Sequence, residues 1–361
     1  MKKSSLKVLC AMSGGIDSSV AVALLKKKGF DVAGAFMKLW SGVSGSLNKR
    51  WDKCCSPEAE TRARQVANYL SVPFYVFNFE REFKKRVVEY FLKEYRKGRT
   101  PNPCVVCNEE IKFGLLLKKA RELGFDLIAT GHFARKKEIK RKNNKIEYKL
   151  LKAKDKQKDQ SYFLWRLTQK QLACVLFPVG DLRKDEIKKL AKKFGLPLFD
   201  IPESQEICFV SGNLEDFLTH YFKQNPGKII DKNGREIGLH RGLFFYTIGQ
   251  RKGIKLPDGP YYVVDKDLKR NVLVVSKNKK DLLKKELLVE DINWISEKKP
   301  QLPLKVKVKI RYRHKPAWAI IRPYSSRLLK VIFTRPQEAV TAGQSAVFYK
   351  GQEVLGGGII C

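Results

Sequence analysis

The sequence predicts an α/β protein: an amino-terminal parallel sheet with helices, followed by two small β-rich or β-barrel units. Three observations carry this. An apolar run from Leu6 to Ala11 is followed by Gly14-Gly15 and then by the apolar stretch Val20–Leu25, in the order strand, glycine turn, helix. Short apolar runs then alternate with helical patterns through roughly the first 210 residues, the pattern of a parallel α/β sheet. From Pro226 onward short β runs are separated by turn signals, Lys232-Asn233-Gly234, Pro257-Asp258-Gly259 and Tyr349-Lys350-Gly351.

Strands are expected at residues 7–11, 31–39, 73–78 and 126–130, and helices at 18–28, 57–70, 80–97, 111–123 and 184–194. Gly29, Gly98, Gly124 and Gly195 stand at expected helix ends, where a left-handed residue closes the last turn. Residues 305–313 alternate basic and apolar side chains, as a half-buried strand does. A charged, leucine-bearing link is expected at 281–290. This divides the chain into residues 1–212, 213–284 and 285–361.

The chain has 361 residues, 73 Lys and Arg against 37 Asp and Glu, and a formal net charge of +36. Such an excess favours a polyanionic partner, RNA or DNA first, although lysine-rich composition also spreads charge over every solvated face. One segment stands out. From Arg135 to Lys158 there are twelve Lys and Arg and three Asp and Glu. It reads as two strands joined at Asn143-Asn144, a protruding basic hairpin suited to a phosphate backbone. No apolar run approaches the ~18 residues of a membrane span, and the basic start is not followed by a signal-peptide core. A cytoplasmic protein is expected. The eight cysteines have no framework spacing, so reactive or metal-binding roles are favoured over structural disulfides.

Met12-Ser13-Gly14-Gly15-Ile16-Asp17-Ser18-Ser19 is built as a phosphate cradle. Two glycines allow a tight turn with consecutive N–H groups aimed at one anion, the serines add hydroxyls, and the helix start adds partial positive charge. No Gly-Lys-Ser/Thr follows at P-loop spacing. Asp17 beside a phosphate makes sense with an intervening cation, so it is read as a Mg²⁺ ligand. The pattern resembles the PP-loop of ATP pyrophosphatases.

Pro101-Asn102-Pro103-Cys104-Val105-Val106-Cys107-Asn108 is the second signal. With a helix expected from Ile111, Cys107 lies close to a helix start, a setting that supplies thiolate. A lone C-x-x-C is open to redox activity, half a zinc site, or chance. Cys208 lies far away, in Ile207-Cys208-Phe209.

Further motifs carry a family resemblance over almost the whole chain: Gly34–Trp40, Thr100–Pro103, Cys107–Phe113, Ala129–His132, Lys158–Leu164, Tyr246–Gly253, Ile310–His314 and Ala342–Tyr349. The chain resembles the tRNA-specific 2-thiouridylases, PP-loop enzymes that place sulfur on the wobble uridine of certain tRNAs. The resemblance implies that Ala11, Met12, Ser13, Gly14, Gly15, Ile16, Asp17, Ser18 and Met37 contact ATP, with Gly131 on the adenine or ribose side. It makes Cys107 the nucleophile and Cys208 the carrier of persulfide sulfur, the two closing as a disulfide once sulfur leaves. Asn102, Pro103 and Cys104 would border the target uridine. His132, Lys158, Asp159, Gln160, Arg311, Tyr312 and Gln344 would contact tRNA. It implies ATP and Mg²⁺ as cofactors, and the tRNA anticodon loop and a persulfide-carrying donor protein as partners. Cys104 stands where the family's best-known pattern has Asp. With Cys107 and Cys208 it gives three thiolates, enough for a [4Fe–4S] cluster with one open iron.

The chemistry is coherent. Uridine C2 carries a poor leaving oxygen; adenylation converts it to a phosphate ester, and a persulfide or hydrosulfide displaces AMP. The base must leave the loop stack to reach such a pocket. Trp40 and Trp165 are read as core. Rival readings are another PP-loop synthetase, amide-forming or lysidine-forming, in which the cysteines would be idle, and a non-catalytic RNA-binding protein.

Overall fold

The structure is a computed structural model and describes residues 6–41, 56–141, 146–197, 207–210 and 212–361. Strands β1 (Lys7–Ala11), β2 (Asp31–Lys38), β3 (Phe74–Asn78), β4 (Leu127–Thr130) and, after a hairpin, β7 (Val175–Leu176) form a parallel sheet in the order β3-β2-β1-β4-β7. Helices α1 (Ile16–Lys27), α2 (Pro57–Tyr69) and α3 (Lys184–Lys193) cover one face. β1 and β2 are buried almost throughout because helices flank both faces, which explains their continuous apolar runs. Strand order reverses at β1, between β2 and β4. In open α/β sheets a ligand crevice lies at that point, beyond the carboxyl ends of the strands. The four glycines expected at helix ends all take positive φ, from 64° to 80°.

The hairpin strands β5 (Ala134–Lys140) and β6 (Ile146–Lys152) correct the protruding-arm reading. The Asn143-Asn144 turn lies outside the described residues, but the hairpin's base is docked: Leu150 and Leu151 pair with Val354 and Glu353. Several of its cations serve this docking. Lys149 bonds Glu353 at 2.7 Å and Lys136 donates to the Leu172 carbonyl, while Arg135 donates within the hairpin to the Lys152 carbonyl.

Strands β8 (Gly227–Ile230), β9 (Glu236–His240), β10 (Tyr262–Asp267) and β11 (Val272–Ser276) form a four-stranded sheet in the order β10-β11-β8-β9. Strands β12 (Leu283–Trp294), β13 (Leu304–Lys309), β14 (Ala317–Pro323), β15 (Leu329–Glu338), β16 (Ser345–Lys350) and β17 (Glu353–Ile360) run β12-β15-β14-β13-β16-β17, and β12 pairs β17 to close a six-stranded barrel. The expected link at 281–290 is therefore mostly strand. Leu287 and Val289 enter the barrel core while charged neighbours face out, a period of two.

One core cluster joins the amino-terminal helices to the barrel: Phe91, Ile111 and Trp165 share it with Val347, Val354 and Ile359. Trp165 is fully buried, and its Nε1 donates to Ser345 Oγ at 3.0 Å; Tyr162 donates to the Ser345 carbonyl.

Candidate active site

The glycine turn sits at the carboxyl end of β1 as the sequence predicts. Gly14 has φ +72°, and a Cβ there would overlap the carbonyl oxygen of Ala59 in α2, so glycine is required both for conformation and for space. No side chain caps α1 at Gly15, which suits its first N–H groups to an anion. Ser13 is exposed at the turn. Ser18 and Ser19 are not: both hydroxyls donate to the Gly15 carbonyl, at 2.9 and 3.0 Å, and Ser18 Oγ also accepts from Ser13 N–H. They brace the turn rather than present hydroxyls from it. Ala11, Met12 and Met37 are buried beside it, and Ile16 packs partly buried at the start of α1.

Asp17 is bonded through both carboxylate oxygens to Lys184 Nζ, at 2.6 and 2.8 Å. Lys184 is the first residue of α3, and sequence reasoning misses it. Its partner is 167 residues away, and its local setting is an ordinary helix start. An ammonium thus sits on the carboxylate read as a Mg²⁺ ligand.

Gly131 follows β4 and lies against α1. A Cβ there would sit 2.7 Å from the Ser18 nitrogen, so the residue lets the end of β4 approach the phosphate turn, and its visible role is packing. His132 comes next. Its Nδ1 lies 2.8 Å from Thr130 Oγ1, and its ring stands 5.7 Å from Phe113 and 6.5 Å from Phe177. Burial, aided by the charge of Lys112, pushes its pKa well below the ordinary histidine value. The ring is therefore held as neutral imidazole.

The cysteine segment corrects the sequence reading in one respect. The helix begins at Pro103, not Ile111, with proline at its first position. Cys104 occupies the first turn and Cys107 lies one turn further in. From Cys107 to Leu115 the helix widens to a π-helix, a form concentrated at functional sites. Gln171 Nε2 donates to the Phe113 carbonyl on its outer side, and Arg166 bonds Glu109 at 2.7 Å. Cys107 is buried. Asn108 beside it donates to the Phe163 carbonyl at 3.1 Å, while its buried Oδ1 has no hydrogen-bond partner. Cys208 is half-buried against the same core, held by Phe209, whose ring meets Trp40, Phe83, Phe91 and Phe217. Among the described residues, which include Cys104, Cys107 and Cys208, no three His, Cys, Asp or Glu side chains are grouped to hold a metal.

The remaining residues separate into two sets. Tyr312 packs on Phe163 with ring centroids 4.5 Å apart, and Asn102 reaches the Tyr162 hydroxyl. Half-buried Lys158 leads into that Tyr162–Phe163 segment. Asp159 and Gln160 are internal braces. Buried Asp159 accepts from Ala153 and Ser161 N–H groups, and Gln160 Oε1 accepts from Phe133 N–H. Arg311 donates to the Glu338 carbonyl inside the barrel. Gln344 Nε2 donates to the Thr100 carbonyl at 2.8 Å and reaches that of Pro101 at 3.4 Å. Thr100 Oγ1 meets Thr247 Oγ1 at 3.2 Å. Barrel and central unit together hold the loop leading into Cys104.

A nucleotide-type α/β domain with a glycine turn and a helix bearing Cys104 and Cys107, followed by two β-rich units, defines the class. Residues 6–212 match the tRNA methyl transferase HUP domain, 215–277 the PRC-barrel domain of the same family, and 284–360 its aminomethyltransferase β-barrel domain. The chain is 47% identical over 358 residues to a tRNA-specific 2-thiouridylase of Clostridium tetani, covering 98% of each chain. It is 44% identical over 360 residues to one of Clostridioides difficile, again 98% of each. The chain belongs to the tRNA-specific 2-thiouridylase family. A solved U34-tRNA thiolase from Methanococcus maripaludis with its [4Fe-4S] cluster aligns at a TM-score of 0.34 and 17% identity, covering 56% of this chain and 60% of that one, too slight a likeness to bear on the site.

Proposed function

We propose that the chain is an ATP-dependent tRNA-uridine 2-sulfurtransferase that adenylates the C2 oxygen of the wobble uridine and replaces it with sulfur. One observation carries the reading: a single run of contacts links the phosphate turn to the cysteine helix. Gly131 lies on the Asp17–Ser18 backbone, His132 follows it, its ring meets Phe113, and Phe113 is on the helical segment that begins with Cys107.

The turn's N–H groups and Lys184 favour the negative charge that develops as pyrophosphate departs from ATP. A single carboxylate, Asp17, fits Mg²⁺, which keeps several waters and takes the remaining ligands from substrate phosphates. When bound, that ion would neutralise the leaving pyrophosphate. Neutral His132 and the Phe113 and Phe177 rings give the pocket wall an uncharged character suited to a base lifted out of its loop.

Sulfur transfer is assigned to Cys107 and Cys208. A donor protein leaves a persulfide on Cys208. The Cys107 thiolate attacks the Cys208 Sγ, the S–S bond to the terminal sulfur breaks, and hydrosulfide is released with its electron pair as the Cys107–Cys208 disulfide forms. Hydrosulfide attacks C2, and AMP leaves with the former C2 oxygen. A thiol reductant then restores the pair. The cluster alternative is not favoured, because Cys104, Cys107 and Cys208 are not assembled as a ligand set. No helix among the described residues is long and apolar enough to cross a membrane, and a tRNA-modifying enzyme requires none.

The test is pyrophosphate release that depends on tRNA, with 2-thiouridine measured by mass spectrometry in digested tRNA. Release without tRNA dependence, or a thiolated product at another position, contradicts the reading.

A further inference from the structure

The barrel carries an aromatic and cationic surface that the reaction does not use. Three of the most exposed large apolar side chains among the described residues fall within seven positions: Trp318 at 50% exposure, Ile320 at 46% and Tyr324 at 58%. On β13, Val306 and Val308 fill the core while Lys305 and Lys307 face out, directly opposite Ile320 and Trp318. Lys307 Nζ lies 5.2 Å from the Trp318 ring centroid and Lys305 Nζ 5.7 Å. Neither lysine is ion-paired among the described residues. Arg322 stands opposite Lys330, whose Nζ lies 5.9 Å from the Tyr324 ring. Glu286 at the margin is bonded to Lys330.

Further along, the same face of β13 passes beneath the amino-terminal unit, where its lysines meet buried aromatic rings. On its other side Lys307 pairs with Tyr349, whose ring carries Lys152 Nζ at 4.3 Å. Lys309, next along the outer face of β13, lies 5.3 Å from the Tyr312 ring, which packs on Phe163. Phe163 in turn accepts the Asn108 hydrogen bond beside Cys107.

We propose that the Trp318 face of the barrel, with Lys305 and Lys307, binds the RNA of the substrate, the indole stacking on an unpaired base or ribose and the lysines meeting phosphates. The proposal rests on the tRNA reading above. A protein partner fits less well, because protein interfaces exclude lysine from their centres, whereas an aromatic plane edged by unpaired cations is the common form of a single-stranded RNA platform.

The test uses the full chain and an unmodified transcript of a tRNA with a wobble uridine, with affinity measured from low to moderate salt. Trp318→Ala is expected to weaken binding about ten-fold at every salt concentration. Trp318→Phe should recover most of that loss, since a ring remains. Lys305→Ala with Lys307→Ala should reduce the slope of log affinity against log salt by about two, one for each phosphate no longer neutralised. Circular dichroism checks folding. If Trp318→Ala unfolds the barrel, the lysine pair, whose stems lie outside the core, decides the matter. Affinities within two-fold of wild type for the folded variants, with unchanged slope, overturn the proposal and leave the face to a protein partner. Thiolation by the wild type is read in parallel. If the wild type makes no 2-thiouridine yet binds the transcript through Trp318, the reaction is misassigned and the RNA surface is upheld. If it thiolates and the variants bind normally, only the surface is refuted.

Discussion

Replacing Gln344 by leucine separates two accounts of one side chain. The family resemblance implies a tRNA contact; the structure gives its amide to the backbone that leads into Cys104. The side chain is anchored by its own backbone, whose carbonyl accepts from Ile360 N–H at 2.8 Å. From there Nε2 makes a short bond to the Thr100 carbonyl and a long one to that of Pro101. Leucine keeps the volume and removes both donations. The short bond is worth about 1 kcal/mol net and the long one less, so the aligned loop should lose roughly 1–2 kcal/mol. That corresponds to about a ten-fold fall in the equilibrium constant for placing Cys104 and Cys107, which bounds the loss in the fraction of enzyme with them in position. Single-turnover thiolation at saturating tRNA should slow about ten-fold, while tRNA Kd stays within two-fold. Thr247→Val, which removes the bond to Thr100 Oγ1 from the central unit, should shift the same rate in the same direction by a smaller factor. A ten-fold rise in Kd with an unchanged single-turnover rate would refute the positioning role and restore the tRNA contact.

Three further outcomes are expected. Asp17→Asn and Lys184→Met should each lower tRNA-dependent pyrophosphate release at least ten-fold without weakening tRNA binding, and the double variant should be no worse than the poorer single one, since the two groups act as a bonded pair; additive losses would separate their roles. Cys107→Ser and Cys208→Ser should each abolish thiolation while pyrophosphate release persists, whereas Cys104→Asp should retain thiolation; iron-dependent activity lost in Cys104→Asp would instead favour a cluster. The thermal midpoint should fall as pH drops from about 7 to 5: burial depresses the His132, His240 and His314 pKa values, so the unfolded chain binds protons there that the folded chain refuses. His132→Gln should flatten that dependence, and a midpoint constant across the window would contradict a neutral His132.

The amino-terminal unit is legible in the sequence because its signals are local. A glycine turn between two apolar runs, and glycines closing helices at 29, 98, 124 and 195, depend only on near neighbours. The helix start at Pro103 is also local, since proline at a first helical position is a start signal, but the C-x-x-C draws the expected boundary too far along. The π-helical widening from Cys107 leaves no mark in side-chain period. What is illegible is long-range. Lys149 finds Glu353 across 204 positions, and this helps dock the base of the hairpin on the barrel. Asp159, Gln160 and Gln344 enter the sequence reading as tRNA contacts implied by the resemblance, because nothing nearby in sequence shows that backbone amides and carbonyls need them. The first strand of the barrel reads as a link, since Lys284, Lys285 and Glu286 mask the Leu287 and Val289 alternation.

The long-range contacts also explain why this chemistry occupies three units. The nucleotide cradle is complete within the amino-terminal unit: Gly14, Ala59, Ser18 and Gly131 all belong to it. The cysteine helix is not. Its entry loop hangs on Gln344 and Thr247, and its flank rests on Phe163, which lies between Tyr162 and Trp165, both bonded to Ser345 of the barrel. Trp165 and Tyr162 are fully buried in a core that the amino-terminal unit shares with the barrel. Displacing the barrel would therefore expose two large aromatic side chains and release the loop before Cys104 in one step. Adenylation chemistry needs a rigid anion cradle, which a single sheet provides. The helix that carries Cys104 and Cys107 draws its support from the barrel, through the Thr100 loop and the Tyr162–Trp165 segment.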